Sequence, residues 1–457
     1  MTTTASNSKK LAFIVLAAGK GSRMVSALPK PLHRLAGLPL VGHVLAAAES
    51  LNPDKIIVVT GPDMPEMAEA VKPHITAIQS VANGTGGAAL AAKDALAGFD
   101  GDILIVYGDT PLVTAATMQR MVDIRRQFPA VGLTYSGMIP ADPGRYGRMV
   151  MDDDGTLKKI VEFKDATDAE KKITLCNGGI VCADGTKLFE WLSQVGNDNA
   201  QKEYYLTDLP PIARRDNRTT QVVEVPCHEM EGVNTRVELA QLEARVQQAL
   251  REKHMLNGVT LTDPASTFFC MDTLIGEDVT VGPNVVFGPG VVISRDVDIL
   301  PFCHIEGAAV APGATIGPFA RLRPGTHIGP DAKVGNFVET KNVSLGAGAK
   351  ASHLTYLGDA EVGENANIGA GTITCNYDGF FKSKTIIGKD AFIGSNSALI
   401  APVTIGDGAI VGAGSAIAKD VPAHALALTR SEQVQKNGWA AGFREQKAAE
   451  KAAKKKK

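Results

Sequence analysis

The sequence lacks the features that mark several large classes of protein. Its 457 residues carry a net charge of −2 and 21% charged residues, which argues against nucleic-acid binding as the main activity. No uninterrupted apolar stretch reaches membrane-spanning length, and the opening residues MTTTASNSKK lack the apolar core of a signal peptide. We therefore expect a cytoplasmic protein with no membrane insertion and no nucleic-acid partner.

Cysteine is also sparse and irregularly placed. The six cysteines are Cys176, Cys182, Cys227, Cys270, Cys303 and Cys375, and none forms a CxxC pair. A structural zinc site or a disulfide framework would need closer, regular spacing. We expect reduced, buried thiols, as is usual for a cytoplasmic protein.

Glycine is abundant, with 47 residues, and past residue 275 it recurs with a period. Aliphatic or aromatic residues stand six apart in this half, many of them followed by glycine. They are Ile275, Val281, Phe287, Ile293, Ile299, Ile305, Ile316, Leu322, Ile328, Val334, Ile387, Ile393, Leu399, Ile405, Val411 and Ile417. Six is the period of neither an α-helix nor a β-strand. It predicts a left-handed parallel β-helix of hexapeptide repeats, with these side chains pointing inward.

The first half alternates strand-like and helix-like segments. AFIVLAAG, KIIVVTG, DILIVYGD, AVGLTYSG and TLCNGGIVC are short apolar runs, and LVGHVLAAAESL between two of them has helical spacing. This alternation predicts an α/β domain, Rossmann-like, with a mostly parallel sheet.

The two halves are joined by a predicted helix. Over 236–256, Leu239, Leu242, Val246 and Leu250 form one stripe, and Asn257-Gly258 is a stop signal. We predict an α/β domain over 1–235, a linker helix over 236–256, a β-helix over 257–430 and a tail over 431–457. The tail is basic, and we expect its end to be disordered.

The stretch LAFIVLAAGKGSRM, residues 11–24, ends a strand in a glycine-rich turn. It lacks the Walker A pattern, and Met24 stands where the dinucleotide fingerprint needs its third glycine. The turn still exposes backbone N–H groups that can hold a phosphate or a base edge.

Charged residues near this turn favour a triphosphate. Lys20, Arg23 and Lys30 supply three cations. Asp109 follows an apolar strand in IVYGDTPL, and a carboxylate at the carboxyl end of a parallel strand is a natural Mg²⁺ ligand beside phosphates.

Seven motifs together resemble the sugar nucleotidyltransferases. They are LAAGKGSRM, LPKPL, NGTGGA, YGD, YGRM, IVEFKDAT and EGVNTR. With the β-helix behind them, residues 11–440 resemble the bacterial family of bifunctional N-acetylglucosamine-1-phosphate uridylyltransferases and glucosamine-1-phosphate N-acetyltransferases. The resemblance implies synthesis of UDP-N-acetylglucosamine for the cell envelope, with UTP and acetyl-CoA as co-substrates and Mg²⁺ as cofactor.

The resemblance also implies the residues of the first site. Nucleotide and sugar contacts fall on Leu16, Ala17, Ala18, Gly19, Lys30, Gln79, Gly84, Thr85, Tyr107, Gly108, Asp109, Gly147, Glu162, Asn177 and Asn234. Mg²⁺ falls to Asp109 and Asn234, and Arg23 and Lys30 would neutralise phosphate charge during catalysis. Ser22, Gly87 and the Gly178-Gly179 pair depart from the family's pattern.

Chemistry at this site would need positioning and charge neutralisation above all. A sugar 1-phosphate oxygen attacks the α-phosphorus of UTP and pyrophosphate leaves, so both reactants are anions. The attacking oxygen is already ionised near pH 7, so no general base is needed.

A second site is expected where the six-residue phase slips, over about 335–386. ASHLTYLGDAEVGENANIGAGTITCNYDG contains His353, and histidine suits removal of an amine proton during acetyl transfer. A phosphate monoester dianion also needs paired cations, which Arg323 and Lys341 could supply.

The resemblance implies the remaining roles at this second site. His353 is the general base; sugar-phosphate contacts fall on Arg323, Lys341, Tyr356, Asn367, Asn376 and Tyr377. Acetyl-CoA contacts fall on Asn367, Ala370, Asn376, Tyr377, Ser395, Ala413 and Arg430. β-Helix acyltransferases are generally trimers with sites between subunits, so a homotrimer is expected.

Two other interpretations remain open from the sequence. The β-helix could be a non-catalytic scaffold behind a nucleotidyltransferase, although a scaffold has no reason to carry SHLTYLGD and TCNYDG. The chain could also be a non-catalytic nucleotide-sugar sensor, against which Asp109, Lys30 and Asn234 speak.

Overall fold

A computed structural model of the protein describes residues 10–454 and divides into two compact units. The division falls between Ala249 and Leu250, inside a long helix. No helix of the described chain has the length and apolar character needed to cross a membrane.

The first unit contains the α/β elements. Its helices are α1 Leu40–Glu49, α2 Pro65–Ala70, α3 Thr85–Leu90, α4 Ala115–Gln127, α5 Gly185–Leu192 and α6 Leu209–Arg215, followed by α7 Arg236–Leu256, which crosses the division. Its strands are β1 Leu11–Leu16, β2 Arg34–Leu35, β3 Leu38–Pro39, β4 Lys55–Thr60, β5 Ile75–Ile78, β6 Asp102–Tyr107, β7 Val131–Met138, β8 Arg148–Met151, β9 Leu157–Val161, β10 Cys176–Asp184 and β11 Thr219–Glu224. Short 3₁₀ turns span Ser22–Met24, Lys30–Leu32, Asp94–Leu96, Glu170–Lys172, Leu206–Asp208 and Cys227–Met230.

One sheet organises this unit, with the strand order β11-β7-β10-β6-β1-β4-β5. The predicted mostly parallel sheet is confirmed: β1 runs parallel to β4 and β6, β4 to β5, and β7 to β11. The strand β10 is reversed and pairs antiparallel with β6 and β7.

Both faces of the sheet are covered, which explains the continuous apolar strands. All six residues of β1 are buried. Leu11, Phe13 and Val15 pack into one core layer, and Ala12, Ile14 and Leu16 into the other. This two-sided burial is what a run such as AFIVLAAG predicts.

The predicted helix over 236–256 is present as α7. Leu242 is buried in a small cluster with Met24 and Leu40, and Leu239 and Val246 pack against that cluster. Three of the four residues of the predicted apolar stripe therefore pack in the first unit close to the glycine-rich turn, and Leu250 is buried at the start of the second unit.

The second unit consists of short parallel strands. They are β12 Thr260–Leu261, β13 Leu274–Ile275, β14 Thr280–Val281, β15 Val286–Phe287, β16 Val292–Ile293, β17 Asp298–Ile299, β18 His304–Ile305, β19 Ala308–Val310, β20 Thr315–Ile316, β21 Arg321–Leu322, β22 Thr326–Ile328, β23 Lys333–Asn336, β24 Glu339–Leu345, β25 Lys350–His353, β26 Tyr356–Val362, β27 Asn367–Ile368, β28 Ile373–Cys375, β29 Thr385–Ile387, β30 Phe392–Ile393, β31 Ala398–Ile400, β32 Val403–Ile405, β33 Ile410–Val411, β34 Ala416–Ile417 and β35 Leu426–Ala427. A 3₁₀ turn spans Pro264–Ser266.

These strands stack into three columns, as in a left-handed parallel β-helix of hexapeptide repeats. One column runs β12-β14-β17-β20-β23-β25-β27-β30-β33-β35. The other two share the long strands β24 and β26, each of which contributes to both columns. The predicted inward residues are buried except Ile275, which is partly buried in the first coils.

The coils differ in length where the sequence phase slips. Phe392 pairs with Ile410, so a regular coil closes after three hexapeptides, and Lys333 pairs with Lys350 after a coil that is one residue shorter. Asn367 instead pairs with Phe392, so the coil between them is longer than a regular one by more than a whole hexapeptide. The extra residues form a loop after β28, within the stretch where the second site is expected.

The tail contains a helix that its sequence did not predict. Residues Trp439–Lys454 form α8, which is exposed along its length. The three final lysines, where disorder was expected, lie outside the described residues.

Candidate active sites

The first candidate site is a cavity of about 640 Å³ at the carboxyl edge of the sheet. Leu16 and Tyr107 end the neighbouring parallel strands β1 and β6 and are directly paired. Ten predicted residues line the cavity, namely Leu16, Ala17, Ala18, Gly19, Lys30, Gln79, Gly84, Thr85, Tyr107 and Asp109. The ends of parallel strands therefore bring together residues that lie far apart in sequence.

Charged groups meet at one end of this cavity. Lys30 Nζ forms an ion pair with Asp109 Oδ2 and donates to Asn234 Oδ1 at 3.2 Å. Arg23 Nη2 donates to the same Asn234 oxygen at 2.9 Å. The Lys30 and Asp109 side chains are only 14% and 21% exposed, so their charges are partly shielded from water.

The Asp109 and Asn234 oxygens suit a magnesium ion. Both lie within reach of the single Lys30 ammonium, so they converge on one region. Mg²⁺ prefers oxygen ligands and usually takes one or two from the protein, with the rest from phosphates and water. Accordingly, the part of the chain that is described contains no cluster of three or more acidic, histidine or cysteine side chains arranged for a metal.

A glycine at the start of α3 shapes the other end of the cavity. Gly84 has a φ of 104°, and a Cβ there would lie 2.5 Å from the Tyr204 carbonyl oxygen. Gln79 Nε2 donates to the Gly84 carbonyl at 3.1 Å. Thr85 Oγ1 accepts from the backbone of Leu206 at 3.0 Å.

Three predicted sugar contacts form a group beside the cavity rather than in its lining. The Asn177 backbone donates to the Gly147 carbonyl at 2.9 Å. A Cβ on Gly147 would lie 3.4 Å from Glu162 Oε1. Burial raises the pKa of Glu162, and a hydrogen bond donated by Thr207 partly opposes that rise. Burial, followed by the charges of Glu162 and Asp109, raises the pKa of Tyr107. A Cβ on Gly179, two residues after Asn177, would lie 2.7 Å from the ring of Tyr107, which lines the cavity, so the group lies next to it.

Three other predicted residues also lie outside that lining. Gly108 donates its N–H to the Leu16 carbonyl at 2.9 Å, and Arg23 reaches the site only through Asn234. Asn234 borders a neighbouring cavity of about 330 Å³.

The second candidate site contains a stack of cations on the β-helix. Arg321 pairs with Glu339 and Lys341 with Gly358, so Arg323 and Lys341 occupy equivalent positions on successive coils. Lys382, from the loop after β28, lies beside Lys341 and is the main cause of a lowered Lys341 pKa, and Arg323 adds to it. Arg323 is itself paired with Glu339 at 2.8 Å.

Tyr356 and Asn376 converge next to these cations. A Cβ on Gly358 would lie 2.5 Å from the Tyr356 hydroxyl and 2.8 Å from Asn376 Nδ2. Asn376 donates to Asp359. Tyr377 is 60% exposed, and its hydroxyl donates to the Gly379 carbonyl at 2.5 Å.

His353 ends β25 with an exposed side chain that one neighbour orients. Its Nδ1 lies 2.7 Å from Asn336 Oδ1, on the preceding coil. An amide oxygen accepts a hydrogen bond, so Nδ1 carries the proton and Nε2 is left as the basic nitrogen.

The predicted acetyl-CoA residues form a row that starts at His353. The register of β25, β27, β30 and β33 places His353, Ala370, Ser395 and Ala413 at equivalent positions on successive coils. Arg430 Nη1 donates to the Ala413 carbonyl at 3.1 Å at the end of this row. Asn367 lies on the same coil as Ala370, at the start of β27.

Sequence reasoning missed several residues at these sites. Gly61, Ser80 and Glu203 line the first cavity, and Asn336 and Lys382 belong to the second site. Gly61 could have been found, since it follows β4, a direct neighbour of β1. Asn336 is the register partner of His353, one coil before it in the chain, so the repeat length could have pointed to it.

Comparison with known proteins agrees with both halves of the chain. Residues 13–174 match the family model of the MobA-like NTP transferase domain, and residues 384–419 match the hexapeptide repeat of succinyl-transferase. A Bifunctional protein GlmU of Paramagnetospirillum magneticum is 54% identical over 98% of this chain and 99% of its own length. The Bifunctional protein GlmU of Rhodospirillum rubrum is 55% identical over 95% of this chain and 97% of its own length. That of a Jannaschia species is 51% identical over 98% of this chain and 99% of its own length.

The chain belongs to the GlmU family.

Membership of the GlmU family confirms the predicted function. The chain is a bifunctional enzyme, a uridylyltransferase and an acetyltransferase that makes UDP-N-acetylglucosamine. A scaffold-only β-helix and a non-catalytic sensor both disagree with full-length similarity to GlmU proteins.

Proposed function

We propose that the first unit transfers uridylyl groups at the cavity between β1 and β6, with Arg23, Lys30, Asp109 and Asn234 at its catalytic centre. The network in which Lys30 joins Asp109 to Asn234 is the single observation that carries this proposal. The network gathers positive charge at one end of the cavity, which would suit the meeting point of a triphosphate and a sugar phosphate, and the Lys30 and Asp109 side chains are mostly shielded from solvent.

Mg²⁺ would be held by Asp109 and Asn234. When bound, it supplies positive charge that offsets the charge of the phosphate oxygens. Lys30 then contacts the phosphates instead of bridging the two oxygen ligands, and Arg23 holds the Asn234 amide in place. These two cations also stabilise charge on the departing pyrophosphate.

The remaining residues of the first site would orient the two substrates. Gln79, Gly84 and Thr85 hold the uracil ring, and the turn from Leu16 to Gly19 lies against the nucleotide. Gly147, Glu162 and Asn177 hold the N-acetylated sugar, so that its phosphate oxygen faces the α-phosphorus.

We also propose that the second unit acetylates glucosamine 1-phosphate at His353. Arg323, Lys341 and Lys382 bind the phosphate, and Tyr356 and Asn376 orient the sugar. Nε2 of His353 removes a proton from the amine as it attacks the thioester carbonyl carbon, and CoA leaves as the thiol. The row through Ala370, Ser395 and Ala413 to Arg430 receives the rest of acetyl-CoA, with Asn367 and Tyr377 beside it.

An apolar ridge supports the proposal of a homotrimer. Phe302, Phe319, Phe337 and Leu354 occupy one corner of successive coils, each roughly half exposed. The three rings stack at 4.8 and 5.1 Å. Because Phe337 follows Asn336 and Leu354 follows His353, a subunit seated on this ridge would also enclose the acetyltransfer site.

Five cysteines are free thiols, which supports the proposed cytoplasmic location; they are Cys176, Cys182, Cys227, Cys303 and Cys375. The small-molecule substrates named here are the only partners the proposed function needs besides other copies of the chain.

Two assays on the full chain test the proposed roles. Asp109→Ala should lower pyrophosphate release from UTP and N-acetylglucosamine 1-phosphate by about 100-fold or more, because it removes a proposed ligand of the Mg²⁺ that would offset the phosphate charge. His353→Ala should lower CoA release with glucosamine 1-phosphate by roughly 100-fold or more, because it removes the base. Each variant should keep the other activity.

Asp123→Ala and His327→Ala are matched controls, since both side chains are exposed and lie outside the two sites. Loss of both activities in either site variant would contradict separate sites. Full CoA release by His353→Ala would contradict the role of His353.

A further inference from the structure

We propose that Asn83 and Gly87 form a pair that orients the Gln79 carboxamide and so sets the preference for uracil over cytosine. This inference rests on the proposed role of Gln79 in reading the base. Asn83 would be a positioning residue, since it acts on the nucleotide only through Gln79.

Two acceptors hold the Gln79 amide nitrogen. Gln79 Nε2 donates to Asn83 Oδ1 and to the Gly84 carbonyl, both at 3.1 Å. A backbone carbonyl can only accept, so the amide nitrogen must face it. Gln79 Oε1 therefore points away from both acceptors, and no described residue donates to it.

This orientation matters because uracil and cytosine differ at the ring edge that a side-chain amide reads. Uracil carries an N3–H donor, whereas cytosine has a lone pair at N3. An acceptor held against this edge binds uracil and faces a lone pair in cytosine. A site built around a fixed hydrogen bond rejects an analogue that cannot make it, because the buried group is left unpaired.

A single acceptor would leave the amide freer to turn over. If Gln79 rotated by half a turn, its nitrogen would face the base and could donate to cytosine N3. Asn83 opposes that rotation, because turning the amide would place Gln79 Oε1 against both Asn83 Oδ1 and the Gly84 carbonyl. The second acceptor thus fixes which end of the Gln79 amide faces the base.

Gly87 makes the space in which Asn83 lies. A Cβ at position 87 would meet Asn83 Oδ1 at 1.9 Å, Cγ at 2.5 Å and Nδ2 at 2.9 Å. Gly87 sits inside α3, where glycine is otherwise unfavourable, and its φ is not in the left-handed region. The absence of a side chain at 87 is therefore explained by the side chain at 83.

The backbone around Asn83 is also fixed. Tyr204 donates its N–H to the Asn83 carbonyl at 2.8 Å and accepts from the Gly86 N–H at 2.8 Å. Both bonds hold residues 83–86 against Tyr204, which opposes a shift of the loop that would carry the Asn83 side chain away from Gln79.

The test compares UTP with CTP in the pyrophosphate-release assay on the full chain. Asn83→Ala should lower the ratio of the two kcat/KM values by about fivefold to tenfold, the change expected from loosening one neutral hydrogen bond. A general folding defect would lower both rates and leave the ratio unchanged. Asn83→Asp should keep the ratio near that of the wild type, since its oxygen still accepts from Gln79.

Gly87→Ala tests the steric half of the pair. Alone, it should lower the ratio as Asn83→Ala does, because the new Cβ displaces the Asn83 side chain. In an Asn83→Ala background it should change the ratio by less than twofold and raise the thermal midpoint, since the clashing atoms are gone and alanine favours the helix.

The outcomes separate this inference from the function on which it rests. An unchanged ratio in Asn83→Ala, or additive effects of the two substitutions, would overturn the pair. Loss of preference in Gln79→Ala together with full preference in Asn83→Ala would leave the role of Gln79 intact and reject that of Asn83. A wild-type enzyme that uses CTP as readily as UTP would reject both.

Discussion

Several side chains at the two sites also hold other side chains in place. Lys30 and Arg23 both donate to Asn234, and Asn336 holds His353. Such contacts fix the tautomer and direction of a reactive group before a substrate arrives. Their loss is expected to cost rate more than stability.

Asn336 offers a direct test of this view. Asn336→Ala should lower kcat for acetyl transfer by about tenfold, because the imidazole is no longer held with the proton on Nδ1. Asn336→Asp, which keeps an acceptor oxygen, should retain most of the rate. The measurement is CoA release at saturating substrates, with uridylyl transfer as the internal control; equal loss of both activities would argue against a local role.

At this scale, sequence reasoning proposed candidate reactive groups more readily than the residues that contact and support them. Side chains with a recognisable charge or reactivity can be found from the sequence alone, as with His353, Asp109 and the cation pair Arg323 and Lys341. Asn336 and Lys382 have ordinary character, and only the coil length and the inserted loop place them beside the reactive groups. The fit of Asn83 to Gly87 depends on distances that no sequence pattern displays.

At the scale of the element, the hexapeptide strand is a short unit with one inward side chain. Most strands contribute two or three residues and rely on neighbouring coils for their hydrogen bonds. One inward residue therefore supports its neighbours as well as its own coil.

Replacement of one inward residue should destabilise the second unit. Ile393→Ala removes a side chain with no exposed surface, so we expect the free energy of unfolding to fall by about 2–5 kcal/mol. Ile410→Ala, at an outward position that is 48% exposed, should change it by less than about 0.5 kcal/mol. Urea denaturation followed by acetyltransfer activity measures both; equal effects would contradict the inward assignment.

Two features of the elements could not be predicted. The reversal of β10 depends on its pairing between β6 and β7, and an apolar run carries no information about strand direction. The helix α8 was interpreted as a basic, disordered end because lysine dominates its last residues. Alternating alanine with charged residues supports a helix even without packing, through local propensity and pairs such as Lys447 with Glu450.

For the whole molecule, assembly and acetyl transfer are expected to fail together. Phe319→Asp places a charge in the middle of the apolar ridge, so it should convert the proposed trimer to monomer and lower CoA release by at least about tenfold. Uridylyl transfer should remain within about twofold of the wild type, because its cavity is lined by first-unit residues.

Light scattering at assay concentration measures the first effect. Phe392→Asp is the matched control, an exposed phenylalanine that is not part of the ridge. A Phe319→Asp variant that stays trimeric would assign the subunit contact to another face. A Phe392→Asp variant that becomes monomeric would do the same.

The row from His353 to Ala413 also has a fixed length. Successive strands of a sheet lie about 4.8 Å apart, so three steps along the row span roughly 14 Å. That interval is set by the number of coils and not by any single side chain. If acetyl-CoA lies along this row as proposed, adding or removing whole coils between His353 and Arg430 would change the length of thioester that the site accepts, while the chemistry at each end stays the same.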